Sequence, residues 1–388
     1  MRSPVFHPYL FRCRAGMEID MKKKALAILY SSKTLCDFIW YYFEYGKEFE
    51  WDVLIDNRFC DIEKYLRKTG IFQSIYVVDK VFPQSHLIKK IGFLLTLFFY
   101  WLIDQRRAYS KKIVKRLTQG QEYSQYVVVP YGGDVLPGLV YFLGKDHDVV
   151  ILEDGMGDYT RNTFKIIWKK LANTEYWAEV ALNKMGYIDF DHYFNILSLK
   201  HCIKCALYPD KLKYTCYKEI RKIGVFTDDH KKEYNDLIAK TFDFDDIKSA
   251  DVVVYTTPLA DYTDDQTLLQ SLIHITEEYI NDLCKGRIVA IKRHPRDNNV
   301  YNFDQNIKII EIDPVIPGEI LEDNYGIIGE HISIFMYTTT IFQSIHSDNY
   351  LLFYYSELAK KSKLPYSRNI ENDIKTLSIK KEKIIVLE

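Results

Sequence analysis

Short strand-forming runs recur along this chain with helical stretches between them, and that alternation limits its possible folds more than any other feature. The first series is ALAILY (25–30), WDVLI (51–55), SIYVV (74–78), YVVVP (126–130) and DVVILE (148–153). Stretches between them, such as TLCDFIWYYFEYG and AYSKKIVKRLTQ, carry apolar residues at helical spacing. Strand, helix, strand in that order predicts a parallel sheet with helices on both faces. After a lysine-rich middle the pattern restarts with KIGVF (222–226), DVVVYT (251–256), RIVAIKR (287–293), IKIIEI (307–312), HISIFMY (331–337) and YLLFYY (350–355). At 388 residues the chain exceeds one ordinary core. The expectation is an α/β protein of two Rossmann-like domains whose parallel sheets face a central cleft. An arm would cover 1–22, an N-terminal domain 23–215 and a C-terminal domain 216–388.

Charge and cysteine content narrow the function classes. A formal net charge of −1 leaves no global field to draw nucleic acid, so any basic site must be local. Seven scattered cysteines, an odd number, suit the reduced thiols of a cytoplasm. HCIKC sets Cys202 and Cys205 at metal-like spacing beside His201, but no second such pair follows and no zinc site is expected. The first residues lack the small-residue cleavage site of a secretory signal, and Met17 and Met21 are alternative starts. One segment, IGFLLTLFFYWLI (91–103), is almost wholly apolar. It falls short of the ~20 residues that span a bilayer. With Lys89 and Lys90 before it and Arg106, Arg107, Lys111 and Lys112 after it, three readings stand: a buried helix, a helix lying on an anionic membrane surface, or a homodimer contact. The expected location is a bacterial cytoplasm, with peripheral contact to the inner face of the plasma membrane as one version of it.

Chemistry-bearing residues gather where strands should end. IVAIKRHPRD closes a buried strand with His294, Pro295 locks the chain behind it, and Lys292, Arg293 and Arg296 surround both. Strand tips of an open α/β sheet are where ligands sit, and three cations there suit an anion such as phosphate. VVILEDGMGDY ends the first series in Glu153, Asp154 and Gly155, a turn that projects a carboxylate from the sheet edge. In VVVYTTPLADYTDDQ, Thr256 and Thr257 stand at a strand tip, Asp264 or Asp265 suits a helix cap, and Asp261 is freer to face a cleft. DPVIPGEILEDN places Glu319 in the first turn of a helix, suited to a ribose or a base amino group. HISIFMYTTTIF puts Thr338, Thr339 and Thr340 before a helix, where hydroxyls and backbone N–H groups make an anion site. LAILYSSKT repeats that device with Ser31 and Ser32.

An acid-acid-glycine turn, a strand ending in His-Pro, a glutamate and then a hydroxyl tract resemble bacterial sialyltransferases. Within these the chain is most similar to glycosyltransferase family 52, the lipooligosaccharide and capsule sialyltransferases, over about residues 24–355. The bacterial polysialyltransferases share the acid-acid-glycine and His-Pro pair. The resemblance implies a GT-B fold, a CMP-sialic acid donor, inversion at the anomeric carbon and no metal or other cofactor. It implies that His294 contacts the donor phosphate and assists its departure, and that Glu319 holds the cytidine. Thr338 and Thr339 would bind the phosphate where the family often has serines. Thr257, Pro295 and Thr340 join the donor side, and Ser31, Ser32, Glu153 and Gly155 the acceptor side or its support. For the base, one related group points to Asp154 and family 52 to Asp261. The acceptor would be a glycan with a terminal galactose, in α2,3 linkage at the family level. An imidazolium and a helix N-terminus would then answer a single phosphate without magnesium. A CDP-glycerol-dependent glycerophosphotransferase, another GT-B nucleotide-sugar enzyme and a non-catalytic polysaccharide-binding protein are the alternatives.

Overall fold

The computed structural model describes residues 23–56, 61–78, 106–129, 140–153, 196–224, 227–244, 246–294, 296–323, 331–336, 349–362, 370–371, 374–375 and 378–388. These form two sheets, each parallel throughout. The first holds β1 (Lys23–Leu29), β2 (Phe49–Asp56), β3 (Phe72–Val78), β4 (Gln125–Val128), β5 (Asp148–Ile151), β6 (Ile203–Ala206) and β7 (Glu219–Lys222), in the order β3-β2-β1-β4-β5-β6-β7. The second holds β8 (Val252–Tyr255), β9 (Ile288–Lys292), β10 (Lys308–Ile312), β11 (Ile332–Phe335), β12 (Tyr350–Tyr355) and β13 (Ile384–Leu387), in the order β10-β9-β8-β11-β12-β13. The winding reverses between β1 and β4 in one sheet and between β8 and β11 in the other. Each reversal opens a crevice at the carboxyl ends of the strands.

The unbroken apolar strands follow from burial on both faces. Ala25 to Leu29, Val127, Val128 and Val252 to Tyr255 are all buried. Helices supply the covering layers: α1 (Ser32–Tyr41), α2 (Glu63–Thr69), α3 (Arg106–Leu117), α4 (Asp228–Thr241), α5 (Gln266–Leu283), α6 (Gly318–Asp323) and α7 (Ser356–Lys361). In α5 the buried residues Leu268, Leu269, Leu272, Ile273, Thr276 and Ile280 repeat at helical spacing, and Asp265 starts the helix by accepting the Thr267 and Leu268 N–H groups at 2.9 and 3.1 Å.

Three strands depart from expectation. The run KIGVF, expected to open the second half, gives way to β7 over Glu219–Lys222, which pairs with β6 as the edge of the first sheet. The first sheet therefore continues past the boundary drawn at residue 215. Its sequence there, EIRK, is a polar edge strand and lacks the apolar signature of a central one. β6 was hidden because Lys204 interrupts its apolar run; the side chain is buried and its Nζ donates to the Leu152 carbonyl at 3.0 Å. The short β13 at the chain's end was not anticipated either.

Between the sheets the chain turns at Gly224, whose φ of +84° lies in the left-handed region and whose N–H donates to Glu44 Oε1 at 2.8 Å. Helix α4 then lies back on the first half. Tyr234 meets Trp40 edge-on at 5.6 Å, and Phe242 meets Tyr65 at 4.8 Å between ring centroids. One hydrophobic cluster consequently runs through residues of both sheets. A Cβ on Gly224 would meet Leu207 and Trp40 side-chain atoms, both at 2.8 Å. Gly224→Ala combines that overlap with an unfavourable φ, so a loss of roughly 1–3 kcal/mol is expected, read as a lower urea midpoint.

Candidate functional site

The tips of β8 and β9 are laced together beside the β8/β11 crevice. Thr256 N–H donates to the Lys292 carbonyl at 3.1 Å, and His294 N–H donates to Thr256 Oγ1 at 3.1 Å. Arg296 N–H in turn donates to His294 Nδ1 at 3.1 Å. A backbone N–H can only donate, so Nδ1 is an acceptor and the neutral ring carries its proton on Nε2. Burial, followed by the charges of Arg296 and Lys292, lowers the His294 pKa to about 4, with Asp261 acting in the opposite direction. The imidazolium expected from sequence is thus replaced, at neutral pH, by a neutral ring offering an Nε2–H donor. The holding hydroxyl is that of Thr256; its neighbour Thr257 is buried beneath the tip, and its carbonyl accepts the Leu259 N–H at 2.8 Å.

After β8 the chain makes a short 3₁₀ turn over Leu259–Asp261, with Asp261 N–H donating to the Pro258 carbonyl at 2.9 Å. This turn carries the Asp261 carboxylate to the β9 tip, where Oδ2 lies 2.8 Å from Arg296 Nη1. Asp265 acts as the cap of α5. His294, Arg296 and Asp261 therefore form one cluster, and the Asp261–Arg296 pairing had no signal in the sequence.

The expected ring of three cations is corrected. Lys292 is only 6% exposed, and its Nζ donates to the carbonyls of Arg293 and Pro314. Arg293 reaches both carboxylate oxygens of Glu311 at 3.2 and 3.3 Å, donates to the Asn299 carbonyl at 2.6 Å and lies over the Tyr301 ring. Both hold the fold: Lys292 ends a strand buried on both faces, so its ammonium takes the nearest carbonyls in place of water. Arg296, with a side chain 70% exposed, is the cation of the three that faces solvent.

Ser31 and Ser32 also serve the fold. Ser31 caps α1, accepting the Thr34 N–H at 3.2 Å while Thr34 Oγ1 accepts the Ser31 N–H at 3.0 Å, a reciprocal capping box. Ser32 Oγ donates to the Val315 carbonyl, across to the second half. The loop that receives it is held at other points too: Tyr65 donates its hydroxyl to Asp313 Oδ2 at 2.9 Å, and Lys292 reaches Pro314 O at 3.1 Å. Glu153 is buried at the end of β5, with Oε2 accepting the Leu207 N–H at 2.9 Å, which braces the tips of β5 and β6. Glu319 lies in the first turn of α6, and its side chain is outside the described atoms. Asp154, Gly155, Pro295, Thr338, Thr339, Thr340 and the 91–103 segment lie outside the described residues.

Cys202 and Cys205 belong to different core clusters, on opposite faces of the first sheet, and burial pushes both thiols up to about 12. Strand alternation thus separates the pair whose spacing had suggested a metal. Among the described residues no three His, Cys, Asp or Glu side chains are placed to hold a metal ion, and no helix is long and apolar enough to cross a membrane.

No protein-family model matches the sequence, and neither does any curated protein. Solved structures do share its architecture. The α/β-galactoside α-2,3-sialyltransferase of the luminous marine bacterium Photobacterium phosphoreum superposes with a TM-score of 0.50 at 13% identity, covering 95% of this chain and 99% of that one. The glycotransferase of kitacinnamycin follows at a TM-score of 0.47 and 9% identity, covering 95% and 86%. A UDP-N-acetylglucosamine 2-epimerase stands at 0.45 and 10%, covering 86% and 78%. At such identity the first likeness is one of fold. With two parallel sheets, each reversing beside its first strand, and near-complete overlap with the marine enzyme, the chain is a two-domain α/β protein of the GT-B type.

Proposed function

We propose that this protein is an inverting glycosyltransferase that moves sialic acid from CMP-sialic acid to a galactoside of a cell-surface glycan, in α2,3 linkage and without a metal. The observation that carries the reading is the β9 tip, where a neutral histidine with its proton on Nε2 stands beside a carboxylate, one strand from the β8/β11 switch point. The GT-B fold, shared with a bacterial α-2,3-sialyltransferase, supports it. In the reaction an acceptor hydroxyl oxygen bonds to the anomeric carbon of the sugar. The bond from that carbon to the phosphate oxygen breaks, and CMP departs with the electron pair. The acceptor's proton passes to a carboxylate, Asp261 or Asp154. His294 Nε2–H donates to the phosphate oxygen as charge builds there. Thr338, Thr339 and Thr340 hold the same phosphate, and Glu319 holds the cytidine.

CMP release from CMP-sialic acid with a lactoside acceptor, unaffected by EDTA, is the expected result. A thermal-shift panel of CMP-sialic acid, CDP-glycerol and UDP-sugars tests the donor: stabilisation by a UDP-sugar alone would replace this reading with another GT-B transferase, and by CDP-glycerol alone with a glycerophosphotransferase.

The histidine's protonation state gives a further expectation. With a pKa of about 4, the free protein's His294 is already neutral across the working range. The profile of kcat/KM should therefore show no alkaline limb from His294 between about pH 6 and 8, where an ordinary imidazolium would be lost. For stability the sign is the reverse of a salt-bridged histidine. The unfolded chain takes up the proton first, so stability falls as pH drops from the ordinary histidine value toward about 4 and is untouched above it. Urea midpoints of the protein and of His294→Asn, compared across that interval, check the sign.

A further inference from the structure

We infer that Arg296 selects a donor that carries a carboxylate beside its phosphate, taking that carboxylate in exchange for Asp261; the inference rests on the CMP-sialic acid reading. Three observations lead to it. Lys292 and Arg293 are turned to the protein's own carbonyls and to Glu311, so neither is placed to answer an incoming anion. The His294 ring brings a hydrogen bond to the site, and no charge. Arg296 brings a guanidinium that is 70% exposed and meets the Asp261 carboxylate through Nη1 at 2.8 Å, while its own backbone N–H holds His294 Nδ1. The geometry ties that guanidinium to the histidine and to a candidate base at once.

The chemistry of the donor makes the exchange specific. A CMP-activated 2-keto sugar acid presents two anions on adjacent bonds of one carbon, the phosphate and the carboxylate. A guanidinium fork matches a carboxylate with two parallel N–H donors, which a single Nη1 contact to Asp261 leaves partly unused. An ion pair this open to water is held weakly and can be displaced. When the donor's carboxylate takes the fork, Asp261 is released beside the reacting carbon. CDP-glycerol and neutral UDP-sugars lack that carboxylate and would leave Asp261 clamped.

Titration calorimetry of CMP and of a non-transferable 3-fluoro CMP-sialic acid against wild type, Arg296→Gln, Arg296→Lys and Asp261→Asn tests this. Arg296→Gln is expected to weaken the sugar analogue by about 10–100-fold while changing CMP affinity less than about twofold. Arg296→Lys should recover part of the loss. Asp261→Asn strips the competitor of its charge, leaving only a neutral amide to hold Arg296, and should tighten the analogue by roughly 2–5-fold, again with CMP unmoved. Equal weakening of CMP and analogue in Arg296→Gln, or no change in either, would overturn the role given to Arg296 while leaving the donor reading intact. Failure of the wild-type protein to bind CMP at all would overturn the donor reading and this inference with it. Thermal unfolding of each variant confirms that the comparison is between folded proteins.

Discussion

Replacing His294 with alanine is expected to slow CMP release by about 10²–10⁴-fold while the protein stays folded. The separation of these effects follows from how the residue is held. Its backbone N–H bonds to Thr256 Oγ1, and that contact survives loss of the ring, so the β9 tip keeps its place. What disappears is the ring, with the Nδ1 that accepts the Arg296 N–H and the Nε2–H donor that, in the proposed reaction, would bond to the departing phosphate as negative charge collects there. The loss should therefore fall mainly on kcat, with donor KM little changed. His294→Gln brings an amide N–H near the Nε2 position and should recover part of the rate. Steady-state kinetics beside circular dichroism provide the measurement, and an unchanged kcat in a folded His294→Ala protein would remove this residue from the mechanism.

The second large effect concerns the base. Asp261→Asn is expected to lose about 10²–10⁴-fold in kcat, and Asp154→Asn less than about tenfold, because Asp261 is the acid that the 3₁₀ turn delivers to the His294 tip. The amide preserves size and a hydrogen bond to Arg296, so the comparison isolates the capacity to accept a proton. The reverse pattern, a collapse in Asp154→Asn alone, would put the base at the end of β5, and the acceptor hydroxyl would then approach from the N-terminal sheet. Inversion demands only that the base and the leaving group lie on opposite faces of the anomeric carbon.

The architecture was legible because parallel strands covered on both faces must be apolar throughout, and that requirement writes itself into runs such as ALAILY and DVVVYT. It failed where burial and composition part company. β6 carries a lysine through the core, and β7, at the sheet edge, has no need of apolar residues. The placement of the candidate residues at strand ends was legible to the same depth. A strand that stops at His294 amid charges marks a sheet edge wherever it lies, and the turn after β8 marked Asp261 as free of the helix cap.

What those side chains do was decided only in three dimensions. Ser32 donates to a carbonyl 283 residues away, Lys292 takes carbonyls of its own tip and of the 313–316 loop, and Glu153 braces a strand that the sequence had concealed. The histidine's tautomer depends on a backbone N–H two residues later. Local sequence therefore determined the alternation of elements and where charged residues meet the sheet edges, because periodicity and burial are properties of short segments. The tertiary structure decided which cations serve the fold and which faces solvent, because a buried polar group bonds to whatever the packing brings within reach.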